Sequence, residues 1–287
     1  MSSYTATAVL GAALALAGTA CSTRGDEEPT QRSGVGQSPT VEASVPSAEA
    51  VTELLPDLRQ ERPAGLVLTR AGTRFRLGFD SAASNVGRGA LVIVGTRPYR
   101  RAATMGATQV IRLEDGRAQR RKSVGLLRYV RSPDHSHWHL MPFMRYELRR
   151  ATNLARAVRD RKTGFCLGDR YELEMRSRVK PSEKVFRSRC GLSAPWRLRV
   201  REGISVGYGD DYDANLEGQY LNITGLSKGR YYLVHRVNGG RRLRESNYAN
   251  NMAWLLLRVS WPRGAPKVTV LRRCAPGRRP SGCALTG

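Results

Sequence analysis

Short apolar runs broken by Gly, Pro, Asn and Asp set the texture of the chain from about residue 52 onward. Examples are LVLT at 66–69, FRLGF at 75–79, ALVIV at 90–94, QYLNIT at 219–224, YYLVHRV at 231–237 and WLLLRV at 254–259. These runs are rich in Val, Ile, Tyr and Phe, several alternate apolar with polar, and turn-forming residues separate them, which predicts strands. No long helical period is present; only 152–160 (TNLARAVRD) reads as one short helix. The predicted fold is all-β, an antiparallel β-sandwich with long loops and little helix.

Two segments break this texture. Residues 4–20, YTATAVLGAALALAGTA, are apolar, end in small residues and precede Cys21. The run is too short for a transmembrane span and reads as a signal peptide, with a lipoprotein-like site at Cys21 or simple secretion as the alternative. The stretch that follows is poor in large apolar residues and rich in Ser, Thr, Pro, Gly and Glu, as in a flexible linker. The expected organisation is a signal peptide over 1–21, a linker over 22–52, a catalytic domain over 53–262 and a basic, disulfide-clipped tail over 263–287. The expected location is outside the cytoplasm, as a membrane lipoprotein or a secreted protein.

Charge sharpens the picture. The 287 residues carry 48 Lys plus Arg against 24 Asp plus Glu, a net charge of +24. Ser22 to Arg62 holds four Arg and eight acids, so residues 63–287 stand at +28. Such a field attracts anionic envelope polymers or acidic proteins. The aromatic interleaving of a specific nucleic-acid module is absent, and a polytopic membrane protein is excluded. With Cys21 lipidated or removed, Cys166, Cys190, Cys274 and Cys283 remain, an even number suited to two disulfides in an exported chain. Four cysteines allow three connectivities, of which the sequence-local pairs Cys166–Cys190 and Cys274–Cys283 are preferred.

Three of the four histidines fall in one heptapeptide, DHSHWHL, as His135, His137 and His139. In a strand, residues i, i+2 and i+4 share a face at about 6.6–6.8 Å per step, so three imidazoles can close on one metal. Neutral imidazole suits copper, zinc, nickel or iron, and the residues by themselves leave the metal open. Asp134 and Glu147 are candidates to orient a ring. His235 sits in an apolar strand and reads as structural. Tyr212 lies in a loop rich in Gly and Asp, and its neighbours Asp210, Asp211 and Asp213 are solvated acids or include a general base. Lys162 is one of six lysines in a chain that otherwise uses Arg, and only a lysine can become a neutral nucleophile.

Five segments, in order, resemble the lysyl oxidase family of copper- and quinone-dependent amine oxidases. HSHWHLMPFMRYEL (135–148) is similar to the family's copper strand, with His135, His137 and His139 on its three ligands. KTGFCLGD (162–169) places Lys162 on the cofactor lysine. GYGDDYDANLEGQYLNIT (207–224) places Tyr212 on the tyrosine that becomes the quinone. RYYLVHRVN (230–238) and ESNYANN (245–251) match the strand and turn that close the family's domain.

The resemblance covers about residues 65–260 and implies Cu(2+) and a lysine tyrosylquinone formed from Lys162 and Tyr212. It implies oxidation of a primary amine or peptidyl lysine by O2 to an aldehyde, with ammonia and hydrogen peroxide released and Asp210 or Asp211 as base. Two other readings compete with it. One is an exported three-His zinc or iron enzyme without a quinone. The other is a non-enzymatic basic protein that binds envelope polymers.

Overall fold

The structure, a computed structural model, describes residues 51–287 apart from 133–134, 161–163, 217, 275–276, 278–283 and 286–287. The signal peptide with Cys21 and nearly all of the linker lie outside the described residues, as do Lys162, Asp134 and Cys283. The first strands are β1 (Glu53–Leu54), β2 (Leu58–Gln60), β3 (Ala64–Ala71), β4 (Arg74–Asn85), β5 (Leu91–Thr96) and β6 (Thr104–Leu113). They are followed by β7 (Ala118–Arg131), β8 (Ser136–Met141), β9 (Met144–Arg150), β10 (Arg156–Arg159), β11 (Tyr171–Glu172) and β12 (Arg199–Ile204). The last are β13 (Tyr208–Tyr212), β14 (Tyr220–Asn222), β15 (Gly229–Val237), β16 (Met252–Ser260), β17 (Lys267–Arg273) and β18 (Ala284–Leu285). Among the described residues the only helical element is a single 3-10 turn, Pro262–Gly264, and no helix is long and apolar enough to cross a membrane. The all-β expectation holds.

The strands form three antiparallel sheets. The first runs β12-β5-β6-β7-β8 with β1 on β6, the second β10-β9-β15-β16-β17-β18, and the third β11-β13-β4-β14 with β2 and β3 on β4. One core joins them. Leu91, Ile93, Leu127 and Trp138 enter it from the first sheet, Tyr146, Leu148, Leu233 and Leu255 from the second, and Leu77 and Phe79 from the third. Period-two burial explains the entry: in β9 the side chains of Met144, Tyr146 and Leu148 point inward and the intervening Arg145, Glu147 and Arg149 do not. Each large apolar side chain so enclosed contributes about 1.5–3 kcal/mol.

One expectation changes. Residues 152–160 form no helix. The Asn153 side chain caps a turn by accepting from the Ala155 N–H at 3.0 Å, and Leu154 sits at φ 59°. The segment then runs out as β10, paired with β9. Pairing with a neighbouring strand outweighs the weak helix preference of its Leu, Ala and Arg residues. Within the expected C-terminal tail, Lys267–Arg273 forms strand β17, paired along β16.

Candidate metal centre and its tyrosine

β8 is an edge strand, paired on one side to β7 with His137 opposite Val130 and His139 opposite Arg128. Alternation sends His137 and His139 to one face and Trp138 to the other, where it is buried in the core. His135, just before the strand, folds onto the same face. The three rings pack with centroids 4.6, 4.8 and 5.3 Å apart. One nitrogen from each ring lies within 4.8 Å of the others. Two imidazole nitrogens bound to one metal at about 2.0–2.1 Å are at most about 4.2 Å apart, so small ring rotations close the set. His139 is buried, whereas His135 and His137 are half-buried, which leaves the cluster open on one side.

An oriented ring is more basic and better placed. The His135 Nδ1 is 3.1 Å from the Ser132 hydroxyl, a partner that sequence reading missed. Glu147 takes no such part: on β9, in another sheet, its carboxylate accepts from the Arg149 guanidinium at 2.7 Å. His235 is structural, as expected. It is fully buried between Phe79 and Tyr146, with Nδ1 3.0 Å from the Ser81 hydroxyl, and burial holds it well below the usual imidazole range.

The segment 164–167 connects the histidines to Tyr212. Phe165 exchanges both backbone hydrogen bonds with Leu140 of β8, at 2.8 and 3.1 Å. That approach needs Gly164, because a Cβ there would stand 3.0 Å from the His139 Cβ and 2.8 Å from the Met141 Cγ. Phe165 also packs edge-on against the Tyr212 ring at 4.7 Å. The next residue, Cys166, forms a disulfide with Cys190, confirming that expected pair. Cys274 is also disulfide-bonded, and its expected partner Cys283 lies outside the described residues. Lys162, two residues before Gly164, is likewise outside them.

Tyr212 ends β13 with its ring in the core. Its hydroxyl oxygen is 2.8 Å from the Cys166 carbonyl oxygen and 2.7 Å from Asp210 Oδ2. A phenol has one proton to donate, so both bonds hold together when Asp210 is protonated. Tyr212 then donates to the Cys166 carbonyl, and the Asp210 carboxyl donates to the phenol oxygen. Electrostatics agree. Burial pushes Asp210 well above the usual carboxylate range, and burial with the adjacent Asp210 pushes Tyr212 well above the usual phenol range. Asp211 is different: it points outward and accepts from the Arg170 guanidinium at 2.7 Å. Asp213 follows at the surface in the connecting turn.

An all-β domain thus brings three histidines together on one strand face and joins them by a four-residue segment to a buried tyrosine–carboxyl pair. A family model described as lysyl oxidase matches residues 113–261, more than half of the chain and all of these residues. The chain belongs to the lysyl oxidase family. Pig protein-lysine 6-oxidase (Sus scrofa) is 29% identical over 119 residues, 41% of this chain and 42% of the pig protein. The human protein-lysine 6-oxidase (Homo sapiens) is 29% identical over the same length, 25% of its own chain. Zebrafish lysyl oxidase homolog 3B (Danio rerio) is 30% identical over 137 residues, 47% of this chain and 15% of that one. The chain thus spans less than half the length of these relatives.

Proposed function

We propose that the chain is a copper-dependent amine oxidase that converts a primary amine, such as a peptidyl lysine, to an aldehyde with O2, releasing ammonia and hydrogen peroxide. The observation that carries the reading is the direct backbone link between the three-His strand and Tyr212 through residues 164–167. Imidazole donors without a free thiolate nearby suit copper, since Cys166 and Cys190 are tied to each other. His135, His137 and His139 would hold the copper, and Lys162 with Tyr212 would form the lysine tyrosylquinone. Together these groups supply oxygen activation and an electron sink for the amine's two electrons.

The chain's own residues do the rest. The Cys166 carbonyl and Asp210 fix the Tyr212 oxygen, Phe165 covers one side of its ring, and the protonated Asp210 is placed to give a proton at Tyr212 Oη and take it back. We also propose an extracytoplasmic location with residues 1–21 as the export signal, supported by the Cys166–Cys190 disulfide, which needs an oxidising compartment.

Titration of the copper-loaded protein with phenylhydrazine, followed by visible absorbance, tests the reading. A coloured adduct is expected in the parent and not in Tyr212→Phe or Lys162→Arg, while both variants keep their copper. Copper binding with no adduct in the parent would defeat the quinone and leave a three-His metal site that activates water or oxygen.

A further inference from the structure

Between Val185 and Arg201 the chain places five arginines and no acid. Arg187, Arg189, Arg197, Arg199 and Arg201 come from two separate stretches yet line one open cleft of about 470 Å³. All five are exposed, and none lies within ion-pair distance of a carboxylate among the described residues. Arginines elsewhere do find partners, as Arg88 does in Glu114 and Arg244 in Glu53. The one acid in the lining, Glu202, is fully buried, and burial pushes its carboxyl well above the usual range, so it does not offset the charge.

The cleft is built rather than loose. Cys190 is tied to Cys166, and the Trp138 indole N–H donates to the Ala194 carbonyl at 3.2 Å. Buried Arg97 donates to the carbonyls of Ala102, Pro195 and Arg197 and stacks on the Trp138 ring at 4.7 Å. Arg201 lies across Phe186 at 4.8 Å. Ser188, Cys190 and Ser193 stand at φ 50°, 39° and 52°, a left-handed backbone that costs non-glycine residues about 1 kcal/mol or more each and persists where contacts enforce it. A cradle ordered in advance loses little entropy on binding.

Exposed apolar side chains share the lining with these charges: Val185 and Leu192 are 51% and 53% exposed. Arg is among the side chains that most often anchor protein interfaces. A polyanion without apolar groups would leave Val185 and Leu192 unused.

We propose that the cleft docks an acidic peptide segment of another protein, with apolar side chains set between its carboxylates. Each guanidinium presents a planar fork that pairs with a carboxylate through two hydrogen bonds. The cleft lies on the Trp138 side of β8, where a Cβ on Gly191 would reach within 2.9 Å of the Trp138 ring, away from the histidine face. A docked segment therefore leaves the metal cluster open. The site stands on its own, whether or not the chain oxidises amines.

Fluorescence anisotropy with the full chain and a short labelled peptide that alternates Asp, Glu and Leu tests the site. The triple variant Arg187→Ala/Arg189→Ala/Arg199→Ala should weaken binding about tenfold or more. A charge-matched triple on the β6–β7 hairpin, Arg120→Ala/Arg121→Ala/Lys122→Ala, should weaken it less than about twofold. Val185→Ser/Leu192→Ser, with every charge kept, should again cost about tenfold. Should the cleft triple not fold, the single Arg199→Gln, which should weaken binding by more than the single Arg120→Gln does, carries the comparison. Equal losses from the two triples, no binding by the parent, or undiminished binding by Val185→Ser/Leu192→Ser would each overturn the proposal. Equally tight binding of phosphatidylglycerol vesicles or polyglutamate would assign the cleft to anions in general and overturn it too.

Discussion

Asp210 and Asp211 are chemically identical neighbours, and β13 separates their roles by turning one inward and the other out. Asp210→Asn keeps a hydrogen-bonding group beside the Tyr212 oxygen but cannot move a proton. In the proposed enzyme it should lower amine-driven oxygen consumption by about 10²–10⁴-fold with little change in the unfolding midpoint. Asp211→Asn, which loses only a surface pair with Arg170, should stay within about threefold. Sequence reading placed both acids beside the tyrosine and was unable to choose between them, because the choice depends on which face of the strand is buried. Asp160 carries a separate, structural prediction. Burial lifts its carboxyl to about 6 from the ordinary 3.8, against the pull of the Tyr146 N–H and Arg145. A raised carboxyl is harmless below about pH 4, where both folded and unfolded chains hold the proton, and costs stability as pH rises through 6. Asp160→Asn copies the protonated form. Its stability relative to the parent should therefore grow by about 2–3 kcal/mol between pH 4 and pH 8, read from urea unfolding at each pH.

At the scale of single elements, the segment 164–167 is the hinge of the site, and its tightest point is Gly164. Gly164→Ala forces the His139 backbone or the Met141 side chain to give way by a few tenths of an ångström. In the proposed enzyme, copper affinity, measured by competition with a chelator, should fall about tenfold while the fold survives. Elements of this kind were unevenly legible. The runs at 75–79, 90–94, 231–237 and 254–259 announced strands because their apolar side chains fit a sheet interior. The three histidines declared a shared face through their spacing of two. Residues 152–160 misled because Leu, Ala and Arg favour a helix locally, and only the distant partner β9 makes them a strand. The Cys166 carbonyl had no side-chain signature to read, and the arginine cleft stayed hidden because the turn after Cys190 brings its two halves together.

Across the whole molecule, charge is unbalanced while the interior is ordinary. A domain at +28 repels a lysine set among basic residues and draws in one set among acids, through a field that salt cuts off beyond about 8–10 Å at physiological strength. In the proposed enzyme, peptides with acid-flanked lysine should be oxidised faster than base-flanked ones in dilute buffer. The gap should close near 1 M salt, where the screening length is about 3 Å; steady hydrogen peroxide release measures both. The disulfide has a consequence of another kind. Tyr212 hangs from the carbonyl of Cys166, and Cys166 is locked to Cys190, so covalent closure and the seating of the aromatic ring share one stretch of backbone. In the proposed enzyme this ties redox state to the cofactor tyrosine: reducing the disulfide should slacken the backbone on which the phenol is moored.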